Sequence, residues 1–102
     1  SYGAQSQAES KKISSLWMTI DERNNLSLVF KADNGWESKN FIAAKAGQID
    51  WDKTKQTLTS AASRNFLTTH ILPARFTKYD QVIKLMDLAK QAGIKDIGLS
   101  PI

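Results

Sequence analysis

The chain has 102 residues, carries 14 Lys and Arg against 10 Asp and Glu for a net charge of +4, and contains no cysteine. That length suits one domain with a single core, and the missing thiols exclude disulfide frameworks, thiolate nucleophiles and Cys-based zinc or iron–sulfur sites. The basic residues are dispersed from Lys11 to Lys95, with only Lys11 and Lys12 adjacent; this reads as solubility rather than a nucleic-acid track, and no apolar run approaches the ~20 residues of a membrane helix.

Residues 1–12 (SYGAQSQAESKK) lack hydrophobic periodicity and are expected to be a flexible linker. They do not resemble a signal peptide, so any membrane anchor is expected outside this chain. The domain is predicted over 13–102. Leu16, Met18 and Ile20 alternate with Trp17, Thr19 and Asp21, and Leu26, Leu28 and Phe30 alternate with Ser27, Val29 and Lys31. Two period-two runs joined by the polar Glu22-Arg23-Asn24-Asn25 predict an antiparallel hairpin. Asp33-Asn34-Gly35 predicts a turn. Residues 36–48 stay open between a short strand through Phe41 and Ile42 and a loop closed by Gly47.

Asp50 is a candidate cap for a helix to about Arg64, with Trp51, Leu58, Ala61 and Ala62 at helical spacing. Leu67, Thr69 and Ile71 predict a strand ending near Pro73. A second helix follows. Thr77 with Asp80 matches a capping box, Tyr79, Val82, Ile83, Met86 and Ala89 form an apolar stripe, and Asp80, Lys84, Asp87 and Gln91 form a polar one. Gly93 supplies the left-handed stop and Ile94 folds back onto the last turn. Ile97 and Leu99 begin a last short strand. Both late strands follow helices, so they are expected to run parallel. The fold class is α+β: two layers, with a mixed sheet of four to five strands and two helices on one face.

Residues with chemical potential are few. His70 is the single histidine and is predicted inside a strand, where a structural role is the simpler reading. Asp50-x-Asp52 lacks the rest of a calcium loop, one histidine gives no zinc spacing, and the glycines form no phosphate cradle. A hairpin at the start and the absence of a Lys/Arg-Gly-aromatic signature argue against the RNA-binding sheet fold. Core packing is the default for the rings, with Trp36, beside a turn, as the one to watch for an exposed contact. No catalytic residue, metal site or cofactor is expected.

The C-terminal third carries more. Ala74-Arg75-Phe76-Thr77-Lys78-Tyr79-Asp80-Gln81-Val82, then Leu85-Met86-Asp87, then Ala92-Gly93-Ile94 and Ile97-Gly98-Leu99 resemble the ExbD/TolR family of biopolymer transport proteins. That family shows a strand ending in an Ala-acidic pair, a Tyr opening a helix, Met-Asp mid-helix, an Ala-Gly-hydrophobic helix end and a short strand with Leu. The likeness covers about residues 14–100, with Leu16–Lys31 similar to the family's opening hairpin and Asp50–Arg64 to its first helix. Two departures stand out: Arg75 replaces a commonly acidic residue, and residues 36–48 exceed the usual connection.

The resemblance implies a non-enzymatic domain in the periplasm, anchored in the inner membrane by a segment outside this chain. The intact protein would belong to a stator complex coupled to the proton-motive force. Implied partners are an ExbB/TolQ-like membrane subunit, reached through the transmembrane helix, a TonB/TolA-like protein and a second copy in a homodimer; nucleic acid is not among them. The alternative is a TolR-like anchor domain that binds peptidoglycan. A domain that engages extended segments needs an accessible sheet edge. The strand Asp96–Ile102 is the candidate edge, and Arg75, Tyr79, Asp96, Ile97 and Leu99 are the candidate partner-binding residues.

Overall fold

A computed structural model describes residues 13–62, 68–94 and 96–99 of the chain. The expectations for the linker 1–12 and for Arg64, Leu67 and 100–102 lie outside the described residues, as do the side chains of Ala61 and Ala62. The two N-terminal runs become antiparallel strands β1 (Ile13–Ile20) and β2 (Leu26–Ala32), with Trp17 opposite Val29 and Ile20 opposite Leu26. Alternate residues of a strand share a face, so Leu16, Met18 and Ile20 lie together with Leu26, Leu28 and Phe30, and all six are buried. Full burial of one such side chain contributes about 1.5–3 kcal/mol. A register shift at Ser14 leaves its hydroxyl free to donate to the Lys31 carbonyl.

Residues 36–48 resolve into a third strand, β3 (Glu37–Ile42), antiparallel to β2, and a small turn in which Lys45 and Gln48 bond each other's backbone. Gly35, at φ +90°, makes the β2–β3 reversal feasible, and the Asn34 side chain accepts the Trp36 N–H within it. The alternation of β3 is weak because Ser38 and Asn40, paired with Phe30 and Leu28 on the helix side, are polar. Ile42 alone of the strand is buried.

Helix α1 (Trp51–Ala62) starts as its sequence implies: the Asp50 carboxylate accepts the Lys53 N–H and its carbonyl the Thr54 N–H. Leu58 and Thr54 are its fully buried described positions. Strand β4 (Thr68–Pro73) lies parallel to β1, and β5 (Ile97–Leu99) lies parallel to β4, giving the order β3-β2-β1-β4-β5. The expected parallel pair, the mixed sheet and the two-helix layer are all present.

Helix α2 (Tyr79–Gln91) departs from expectation at its start. The capping box does not form; Lys78 is the N-cap, in extended geometry and without a side-chain bond. Thr77 is drawn instead into a turn, where its N–H donates to the Ala74 carbonyl, one position too early to cap. Asp80 remains in the first turn, where the helix dipole favours it. The buried stripe runs through Val82, Leu85 and Ala89, with Ile83 and Met86 on its flanks. Leu85, which the sequence stripe omitted, is fully buried, whereas Tyr79, its expected first member, is 71% exposed. At the other end Gly93, at φ +98°, and Ile94 donate to the carbonyls of Lys90 and Ala89, and Ile94 is buried as expected.

Candidate partner interface

Because β1, β4 and β5 run parallel, their C-terminal ends share one pole of the sheet, and the β4–α2 connection crosses it. This connection carries two of the expected contact residues, Arg75 and Tyr79, and one the sequence reading had not singled out, Phe76. Phe76 is 80% exposed, with the Arg75 guanidinium 5.5 Å from its ring centroid. Beside them a cleft of about 450 Å³ opens between the β1–β2 turn, the 45–48 turn and the start of α2, bounded by Asp21, Asn24, Gln48, Phe76, Lys78 and Gln81. Asparagine side chains brace its walls: Asn24 donates to the Gly47 carbonyl, and Asn25 accepts the Ala44 N–H.

Asp21 organises the first wall. Its carboxylate accepts the Asn25 side-chain amide and the backbone N–H groups of Arg23 and Asn25. The Asn25 amide first, then those backbone donors and the nearby Arg23 charge, hold its pKa below the ordinary carboxylate range, against a smaller opposing effect of burial.

The other expected contact residues lie on β5, a sheet edge only three residues long. Leu99 pairs with Ile71 at the Phe76–Tyr79 pole and is 54% exposed. Ile97 is half-buried and packs on the core. Asp96 is exposed at the opposite end of the strand, where its carbonyl accepts the Thr69 N–H at 2.7 Å. The fold thus gathers Arg75, Tyr79 and Leu99 toward one pole and holds Asp96 away from it.

The sheet face turned from the helices bears a second feature. Trp17 and His70, cross-strand neighbours on β1 and β4, stack with ring centroids 4.0 Å apart and planes 17° from parallel. Lys31 Nζ lies 5.1 Å from the Trp17 centroid, and the indole N–H donates to Ser15 Oγ. The sequence shows both rings on outward positions, but only the β1–β4 register brings them together. Trp36, watched for an exposed contact, is instead half-buried against the core.

Among the described residues no group of three or more His, Cys, Asp or Glu side chains converges as a metal site would. No described helix is long and apolar enough to cross a membrane. No protein-family model matches the chain, and no curated protein matches it significantly.

Proposed function

We propose that this chain is the periplasmic domain of an ExbD/TolR-type subunit: a non-enzymatic binding module that dimerises and engages a TonB/TolA-like partner in a proton-motive-force-coupled inner-membrane complex. The single observation that carries this reading is the β5 edge. A short, exposed strand offers backbone groups to an extended segment, and backbone pairing of that kind supplies affinity without a pocket. The strand–helix–strand order from Thr68 to Leu99, laid on a mixed sheet, is also what the family resemblance implies. Phe76 and Tyr79, exposed at the pole of the sheet where β5 ends, add the apolar and aromatic surface that interfaces favour. The ExbB/TolQ-like membrane subunit would be reached through a transmembrane helix outside this sequence.

Photo-crosslinking from Leu99 tests the reading, together with the sedimentation mass of the free domain. The expected outcome is a dimer and a crosslink to an extended segment of a TonB/TolA-like protein. A strict monomer indifferent to such partners overturns it.

One observation favours the alternative, a peptidoglycan anchor: the Trp17–His70 stack with Lys31 beside it offers aromatic and basic groups to glycan on the open face. Retention on purified peptidoglycan that is lost in Trp17→Ala would move the assignment there.

A further inference from the structure

Three properties of β5 meet at Gly98. First, Gly98 pairs with His70, so it lies on the open face in the same row as Trp17 and His70. Trp17 occupies one face of the imidazole; β4 lies between β1 and β5, so the other face looks over a residue with no side chain. Second, nothing in the backbone demands glycine there. Among the described residues a Cβ at Gly98 would meet only the Thr69 carbonyl oxygen, at 3.9 Å, and its φ is not in the left-handed region. Third, Ile97 and Leu99 turn to the opposite face, toward the helices, and Leu99 remains largely exposed.

We propose that the β5 edge is selective. It takes an extended segment of another protein in which one aromatic residue is flanked on both sides by apolar residues, with the aromatic ring lying over Gly98 against the free face of His70. This rests on the strand-addition reading above and specifies which sequence the edge accepts.

The alternation of a strand sets the pattern. A residue placed opposite Gly98 points to the open face, and its two neighbours point to the helix side, where they cover Ile97 and Leu99. An aromatic ring from a neighbouring strand is the side chain that best shields an edge glycine, and here it also completes a three-ring stack. Asp96, exposed at the head of β5 on the Gly98 face, favours a basic residue beside the triplet.

A second copy does not fit the slot. In this chain an aromatic residue between two apolar ones occurs only at Leu16-Trp17-Met18, which is locked in central β1 with both flanks buried. The other edge strand offers Asn40-Phe41-Ile42, in which one flank is polar and Ile42 is committed to its own core.

The test uses two peptides, an apolar–Tyr–apolar triplet with a flanking Lys and the same peptide with Val for Tyr. Each is titrated against the full chain and followed by NMR shifts at Gly98 and His70. The Tyr peptide is expected to bind about three- to tenfold more tightly. That advantage should vanish in His70→Ala and in Gly98→Val, with the Val peptide unaffected and thermal melts showing both variants folded. Equal affinity of the two peptides overturns the aromatic slot and leaves edge addition standing. Failure of both to bind overturns the slot and the edge reading together. A single-stranded oligonucleotide that outcompetes the Tyr peptide at His70 also overturns it, in favour of nucleic-acid stacking.

Discussion

Two threonines show how the same residue type reads alike in sequence and differs in the fold. Both Thr54 and Thr69 are fully buried, yet Thr54 donates its hydroxyl to the Asp50 carbonyl one helical turn back, while Thr69 Oγ1 is the buried side-chain polar atom without a partner among the described residues. A polar residue in an apolar slot blurs a hydrophobic stripe, which is why α1 looks thinly amphipathic in sequence although Thr54 and Leu58 are both fully buried. Leaving a hydroxyl unpaired in the core costs about 1–3 kcal/mol. Thr69→Val keeps the branched shape and is expected to raise unfolding stability by about 1 kcal/mol in urea titrations, whereas Thr54→Val gains less because a satisfied bond is lost. Asp21 makes a pH-dependent contribution of known sign. Its folded pKa is lowered, so the stability it confers is present above the unfolded carboxylate pKa and is lost as pH falls through the folded one. Asp21→Ala should therefore destabilise at neutral pH and converge with the parent in strong acid; a gap that persists there would assign the effect to packing instead.

At the level of single elements, legibility followed how much of the signal was local. The stop of α2 was readable because Gly93 and Ile94 satisfy the last carbonyls by themselves, and only glycine takes φ +98° without strain. Gly93→Ala is expected to cost about 1 kcal/mol, measured as a lower urea midpoint with an unchanged slope. The start of α2 was misread because two local motifs compete for Thr77, and the Ala74–Thr77 turn takes it. Strand β3 was legible only as one of two alternatives, for a different reason. It is an edge whose helix-side residues Ser38 and Asn40 line an open groove of about 340 Å³ against α1, so burial imposes no alternation on it. Tyr79 shows the same limit within a helix: helical spacing places it near the stripe, but as the first residue of α2 it stays exposed.

For the molecule as a whole, the β–α–β order of the second half was visible in the sequence, but the placing of β1 between β2 and β4 was not. That pairing joins residues more than fifty positions apart, such as Trp17 with His70, and it creates both the ring stack and the choice of edges. The sheet has two edges, and they are unequal. β3 presents Lys39 and Glu37, 3.9 Å apart as an ion pair, and charges of this kind discourage pairing. β5 presents no charge between Asp96 and Leu99. In a parallel ladder one residue bonds to the two that flank its partner, and the Thr69 N–H to Asp96 carbonyl bond fixes that phase. Asp96 and Gly98 then face β4, while the N–H and C=O groups of Ile97 and Leu99 face outward. Leu99→Pro removes one outward donor and no ladder bond, so the domain should keep its thermal midpoint while losing roughly three- to tenfold in affinity for an added strand, the worth of one hydrogen bond. Phe41→Lys, on the β3 edge, should leave that affinity unchanged. If Phe41→Lys weakens binding and Leu99→Pro does not, the partner docks on the opposite side of the sheet, and the role assigned to β5 passes to β3.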